Sequence, residues 1–142
     1  LVLGRALLEI LKIRMHRYGI NAAGSSIQNA NNLQSHVTVA VNIEGRKFWR
    51  FVPIDGDFLA LKKSLLIGQN VLTNLRSEDL DDFVDGLAGG LSASIMIQVR
   101  TTTDPNYIWQ LIFAQLGNAL RVAFDANPYR KGVPAGVKAT LA

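Results

Sequence analysis

Residues 37–43 alternate, with Val37, Val39, Val41 and Ile43 apolar and Thr38, Ala40 and Asn42 small or polar between them. A period of two is the pattern of a half-buried strand. Glu44-Gly45 reads as a turn and RKFWRFV (46–52) as a returning strand, so the two are expected to pair as a hairpin. SIMIQVRT (94–101) predicts a third strand with Ile95, Ile97 and Val99 on one side. Elsewhere the period becomes helical. Leu3, Leu7, Ile10 and Leu11 form the apolar face of a first helix, closed by Lys12, Arg14 and Arg17 at its negative end. Ser77 is placed to cap a second helix whose first turns carry Glu78, Asp79, Asp81 and Asp82. Leu80, Phe83, Val84, Leu87 and Leu91 line its buried side, and Gly86, Gly89 and Gly90 imply close approach of another element. Pro105 opens a third helix with the stripe Ile108, Leu111, Ile112, Leu116, Ala119, Leu120 and Ala123. The polar stretch GINAAGSSIQNANNLQS (19–35) reads as loop, and residues 53–76 are ambiguous between helix and apolar loop.

That order does not alternate strand and helix strictly. It predicts an α+β fold, with helices packed on one face of a mainly antiparallel sheet: a two-layer sandwich of the kind seen in ribosomal proteins. LGRALLEIL at 3–11 and LGNALRVAF at 116–124 share Leu, Gly, Ala and Leu at identical spacing. Glycine inside a helix costs roughly 1 kcal/mol, so a repeated Leu-Gly pair needs a packing reason. The repeat predicts duplicated half-repeats, with residues 3–17 and 116–126 as equivalent helices side by side on the sheet. The chain is then a single domain, 1–142, whose first repeat is incomplete by about 40 residues upstream of Leu1.

Composition narrows the classes. With 49% hydrophobic and 18% charged residues the chain is a folded globule, and no window reaches the length of a membrane span. The absence of cysteine excludes disulfides, thiolate metal sites and a cysteine nucleophile. The net charge of +4 favours acidic partners, RNA among them, but the cations are scattered and no aromatic ladder accompanies them. The expected location is intracellular and soluble, with an organellar matrix as one option, and the absence of cysteine leaves the compartment open.

The segment DPNYIWQLIFAQLGNALRVAFDANPYRKGVPAGVKATLA resembles the C-terminal part of imidazoleglycerol-phosphate dehydratase, a lyase of histidine biosynthesis. That family carries H-H-x-x-E-x-x-F-K-x-x-x-x-A-L followed by D-P-R-x-x-G-V-P-S-T-K-G. Phe113, Ala119, Leu120, Pro128, Gly132, Val133, Pro134 and Lys138 fit this pattern. SEDLDDFVDGLAGGLSASIMIQV, VNIEGRKF and LGRALLEIL are similar to the family's penultimate helix and strand, strand-turn and L-G-x-A-L helix. Nearly the whole chain is covered except roughly residues 54–75.

The resemblance implies two divalent ions, typically manganese, held by imidazole and carboxylate. Here the second H-H-x-x-E position reads Asn106, Tyr107 and Gln110, and the histidine of the penultimate helix reads Asp82. Neutral amides and a phenol are poor substitutes for such ligands. The two histidines, His16 and His36, fall on a helix end and a strand start, away from ligand positions. Of the family's phosphate-binding groups, Arg17, Arg46 and Lys138 have counterparts, and surface cations are an equally good reading of all three. Three functions stay open. One is a catalytically degenerate homologue serving as a structural subunit of a larger assembly, an organellar one among the options, without cofactor. Another is an active homo-oligomeric dehydratase with an atypical manganese site. The last is an RNA-binding subunit of a ribonucleoprotein. The surface around Tyr107, Trp109, Arg130 and Lys131 is the expected contact with other protein subunits or RNA.

Overall fold

A computed structural model describes residues 1–30, 35–100 and 104–132. Helix α1 (Val2–Arg17) leads into strands β1 (Ala23–Ala30), β2 (Ser35–Ile43) and β3 (Phe48–Pro53). A short helix α2 (Phe58–Leu61) runs into a π-helical turn (Lys62–Leu66), then a two-residue hairpin, β4 (Asn70–Val71) and β5 (Leu75–Arg76). Helix α3 (Ser77–Leu91), strand β6 (Ala93–Arg100), helix α4 (Pro105–Phe124) and a 3-10 turn (Pro128–Arg130) complete the order.

The main sheet has the order β1-β2-β6-β3, antiparallel except for the parallel pair β3 and β6. This is the expected α+β class, but two expectations about its strands fail. Residues 23–30 are not loop. They form a full edge strand in register with β2, from Ala23 opposite Asn42 to Ala30 opposite Ser35. Their inward face is Gly24 and Ser26 where an ordinary strand would show Val or Ile, so the alternation of apolar residues is missing. Gly24 is required by space: a Cβ there would lie 2.2 Å from the carbonyl oxygen of Ala119 on α4.

The second failure is the hairpin. β2 and β3 do not pair, because β6 lies between them. Ala93, Ile95, Ile97 and Val99 of β6 are buried to within 1% exposure, whereas β3 buries only Phe51 fully and carries exposed Phe48 and Arg50. The more apolar strand takes the interior and the mixed strand the edge. The Glu44–Lys47 connection crosses the start of β6, held by the Gly45 amide on the Ser92 carbonyl (3.0 Å) and by the Ser94 hydroxyl on Glu44.

Helix α4 packs on β1 and β2, while α3 packs beside β3 and β6 on the same face. Helix α1 lies on α3 rather than directly on the sheet, which corrects its expected position. The contact is made by glycine, as the sequence implied: a Cβ on Gly4 would come within 2.6 Å of the Leu87 carbonyl, and one on Gly90 within 2.3 Å of the Leu1 carbonyl. Only Gly4, Leu11 and Met15 of α1 are buried, so Leu3 and Ile10 of the expected apolar face are about half exposed. Ser77 is the first residue of α3 and not its cap. It is fully buried, and its hydroxyl accepts from the Gln69 amide and donates to Glu78. No described helix is long and apolar enough to cross a membrane.

Candidate functional site

The N-terminus of α4 carries Asn106, Tyr107 and Gln110, the residues that the sequence resemblance sets against metal-ligand positions. Asp104 caps the helix by accepting from the Asn106 amide at 3.0 Å, with Pro105 in the first turn where its missing N–H costs nothing. The Asn106 side chain turns towards the β4–β5 hairpin and its Oδ1 accepts from the Leu72 amide at 2.7 Å. Leu72, Thr73 and Asn74 all have left-handed backbones, φ 46°, 65° and 69°. Such a run is costly for residues bearing a Cβ, and it persists where the surroundings hold it. Asn106 is one of those holds.

The other expected positions separate. Tyr107 is half buried against the core, and Gln110 is exposed. Trp109 is fully buried, with its indole N–H on the Leu65 carbonyl at 3.0 Å and its ring edge-on to Phe51 and stacked on Phe113. It cannot serve as a partner contact, which corrects that expectation. Arg130 directs a guanidinium N–H to the Asn21 carbonyl at 3.3 Å, and Lys131 is exposed. Arg17 closes α1 and Arg46 lies in the β2–β3 connection, both exposed. Lys138, Val133 and Pro134 fall outside the described residues. His16 is exposed at the end of α1, and His36 in β2 meets the Thr38 hydroxyl at 2.6 Å.

Asp82 lies on the rim of an open cleft of about 680 Å³, with Trp49, Phe51 and Phe58 among its walls and Glu78, Asp81, Arg50 and Lys62 around it. This cleft was not legible beforehand. One wall comes from the ambiguous segment, and the acidic residues read simply as a helix start. Glu78 accepts from the Gly68 amide (2.9 Å), the Ser77 hydroxyl and the Arg76 guanidinium (2.5 Å), which together hold its pKa down to about 2. Asp81 behaves oppositely. Burial, then the charges of Asp82 and Asp85, push its carboxyl above the ordinary range against Lys62, and its Oδ1 is buried without a hydrogen-bond partner. Among the described residues, no three His, Asp or Glu side chains are grouped as metal ligands.

The arrangement matches solved structures. The chain superposes on imidazoleglycerol-phosphate dehydratase from Staphylococcus aureus with a TM-score of 0.69 at 19% identity, over 89% of this chain and 63% of that one. The fold is that of imidazoleglycerol-phosphate dehydratase. The dehydratase of Pyrococcus furiosus gives a TM-score of 0.62 at 26% identity, over 88% of this chain and 62% of its own. This chain thus spans a little over three fifths of either dehydratase. No protein-family model matches the sequence, and neither does any curated protein sequence.

Proposed function

We propose that this chain is a catalytically degenerate relative of imidazoleglycerol-phosphate dehydratase that serves as a structural subunit of a larger assembly. The observation that carries the reading is Asn106. At a position aligned with a metal ligand it bears a neutral amide, and that amide oxygen is committed to the Leu72 N–H at 2.7 Å. A divalent ion there would have to compete with a hydrogen bond that restrains a left-handed turn. The remaining donors do not fit manganese: Gln110 is a second amide, Tyr107 a phenol packed on the core, and Asp82 the one carboxylate. Loss of the ligand set removes the group that would acidify the substrate, while the fold itself is retained with a closely packed interior.

Three measurements on purified protein test this together. Elemental analysis is expected to find no stoichiometric manganese, and imidazoleglycerol phosphate is expected to be left unconverted. Native mass determination is expected to find the chain with unlike protein subunits at fixed ratio. Tightly held divalent metal together with turnover would establish the enzyme instead. Co-purification with RNA, lost on Arg130→Ala and Lys131→Ala, would favour a ribonucleoprotein subunit.

A further inference from the structure

Four residues lining the cleft beside α3, namely Phe58, Lys62, Leu66 and Ile67, belong to the stretch of roughly residues 54–75 that the family resemblance leaves uncovered. The charges of this cleft do not balance. Glu78 is taken up by the Arg76 guanidinium, the Ser77 hydroxyl and the Gly68 amide, and Asp85 pairs with Lys47 at 2.8 Å. Arg50 stands opposite Met96 in register, and strand alternation sends its side chain out on the helix-free face of the sheet. That leaves Lys62 as the one cation of the cleft against Asp81 and Asp82, among the described residues. It does not neutralise Asp81, because burial and the charges of Asp82 and Asp85 outweigh it. Asp81 also keeps a buried Oδ1 with no hydrogen-bond partner. An orphaned carboxylate oxygen costs free energy until a donor reaches it, and the torsion that would turn it into the cleft is soft in Asp. The group missing here is a positively charged N–H donor.

The walls select the kind of cation. Trp49 is half-buried with Phe51 edge-on to it, ring centroids 4.8 Å apart, and Phe58 is 48% exposed at the mouth. Aromatic faces attract an ammonium, and Leu66 and Ile67 offer apolar surface along which an alkyl stem can lie. A hydrated metal ion would gain little from such walls. We propose that this cleft binds a primary alkylammonium group, with Asp81 as its anchor and Trp49 and Phe58 as flanking rings. The group belongs either to a free amine or to a lysine side chain of a protein partner, and its charge is opposite to that of a phosphorylated substrate. The inference holds whether or not the chain is catalytic and whether or not it is a subunit.

Titration of the 142-residue chain with n-pentylammonium, 1-pentanol and pentanoate, followed by NMR, tests this. n-Pentylammonium is expected to shift the indole N–H resonance of Trp49 and to bind at least about ten-fold more tightly than either control, as a charge-assisted hydrogen bond to Asp81 requires. Asp81→Asn keeps the shape of the anchor and removes its charge, and is expected to weaken binding by at least about five-fold. Phe58→Ala, at an exposed ring, should weaken it about three-fold. Lys62→Gln should tighten it by about two-fold, a change of sign that damage to the fold does not produce. Equal binding of 1-pentanol, tighter binding of pentanoate, or an Asp81→Asn variant that binds n-pentylammonium as well as the parent would each overturn the proposal. Nα-acetyl-lysine N-methylamide separates the two sources. Tighter binding than n-pentylammonium would assign the cleft to a peptide lysine, and weaker binding to a free amine.

Discussion

At the scale of single residues, Trp109 and Asp81 show how position decides what a side chain does. Trp109 lies one step from Ile108 in the helical stripe, yet its burial depends on the Lys62–Leu66 turn closing over it and offering the Leu65 carbonyl. Trp109→Phe leaves that carbonyl unpaired and a gap beside Phe51 and Phe113. The expected cost is about 2–3 kcal/mol in urea denaturation, and an unchanged midpoint would contradict the role given to the indole. Asp81 is a residue whose ionised form the fold disfavours. Between its ordinary and its raised pKa the folded chain binds more protons than the unfolded one, so stability falls as pH rises through that window. Asp81→Asn removes this penalty. Its Tm should exceed that of the parent near neutral pH and match it by about pH 3, where the unfolded carboxyl is protonated as well. A gain that persists undiminished in acid would assign the effect to something other than charge.

The elements that were legible beforehand are those whose own residues carry the pattern. The Val37–Ile43 alternation became β2, Ile95–Val99 became β6, and the stripe from Ile108 to Ala123 became α4. What escaped was set by neighbours. β1 shows the reason most clearly: its inward positions are Gly24, Ser26 and Gln28, and they face a polar residue of α4. Buried Gln115 accepts from the Ser26 hydroxyl and donates to Gln28 at 2.7 Å, so this strand is attached by a small polar network instead of an apolar stripe. No periodicity rule detects a partner of that kind, and the same holds for the insertion of β6 between β2 and β3. At the site, the identities of Asn106, Tyr107, Gln110 and Asp82 were readable one by one. The commitment of Asn106 to Leu72 was not, because it depends on a turn in the ambiguous segment. Gly24→Val should cost about 1–3 kcal/mol by forcing β1 away from the Ala119 carbonyl, since overpacking of a tight contact has that scale. If guanidinium unfolding shows Gly24→Val to be neutral, β1 is not held as closely to α4 as its geometry demands.

For the molecule as a whole, the distribution of burial predicts an order of opening. β2 and β6 are the interior strands, and Val37, Val39, Ile95 and Ile97 are fully buried between the sheet and the helices. Helix α1 is attached differently. It uses one narrow face, the Gly4–Gly90 crossing with Leu11 and Met15, and near its end Arg14 donates to the Phe124 carbonyl at 3.1 Å. Detaching it exposes far less apolar surface than separating β2 from β6, so it should open without global unfolding. Native-state hydrogen exchange of the 142-residue chain should show mid-strand amides of β2 and β6 exchanging only with global unfolding. Amides in the middle of α1 should exchange at least about ten-fold faster, through a smaller opening that depends less on denaturant. Gly4→Leu, which wedges the crossing apart, should speed exchange in α1 and leave the central strands protected. Protection of α1 equal to that of β6 would mean that the helix and the sheet form one cooperative unit. The exposed Leu3–Ile10 face would then be no weak point of the fold.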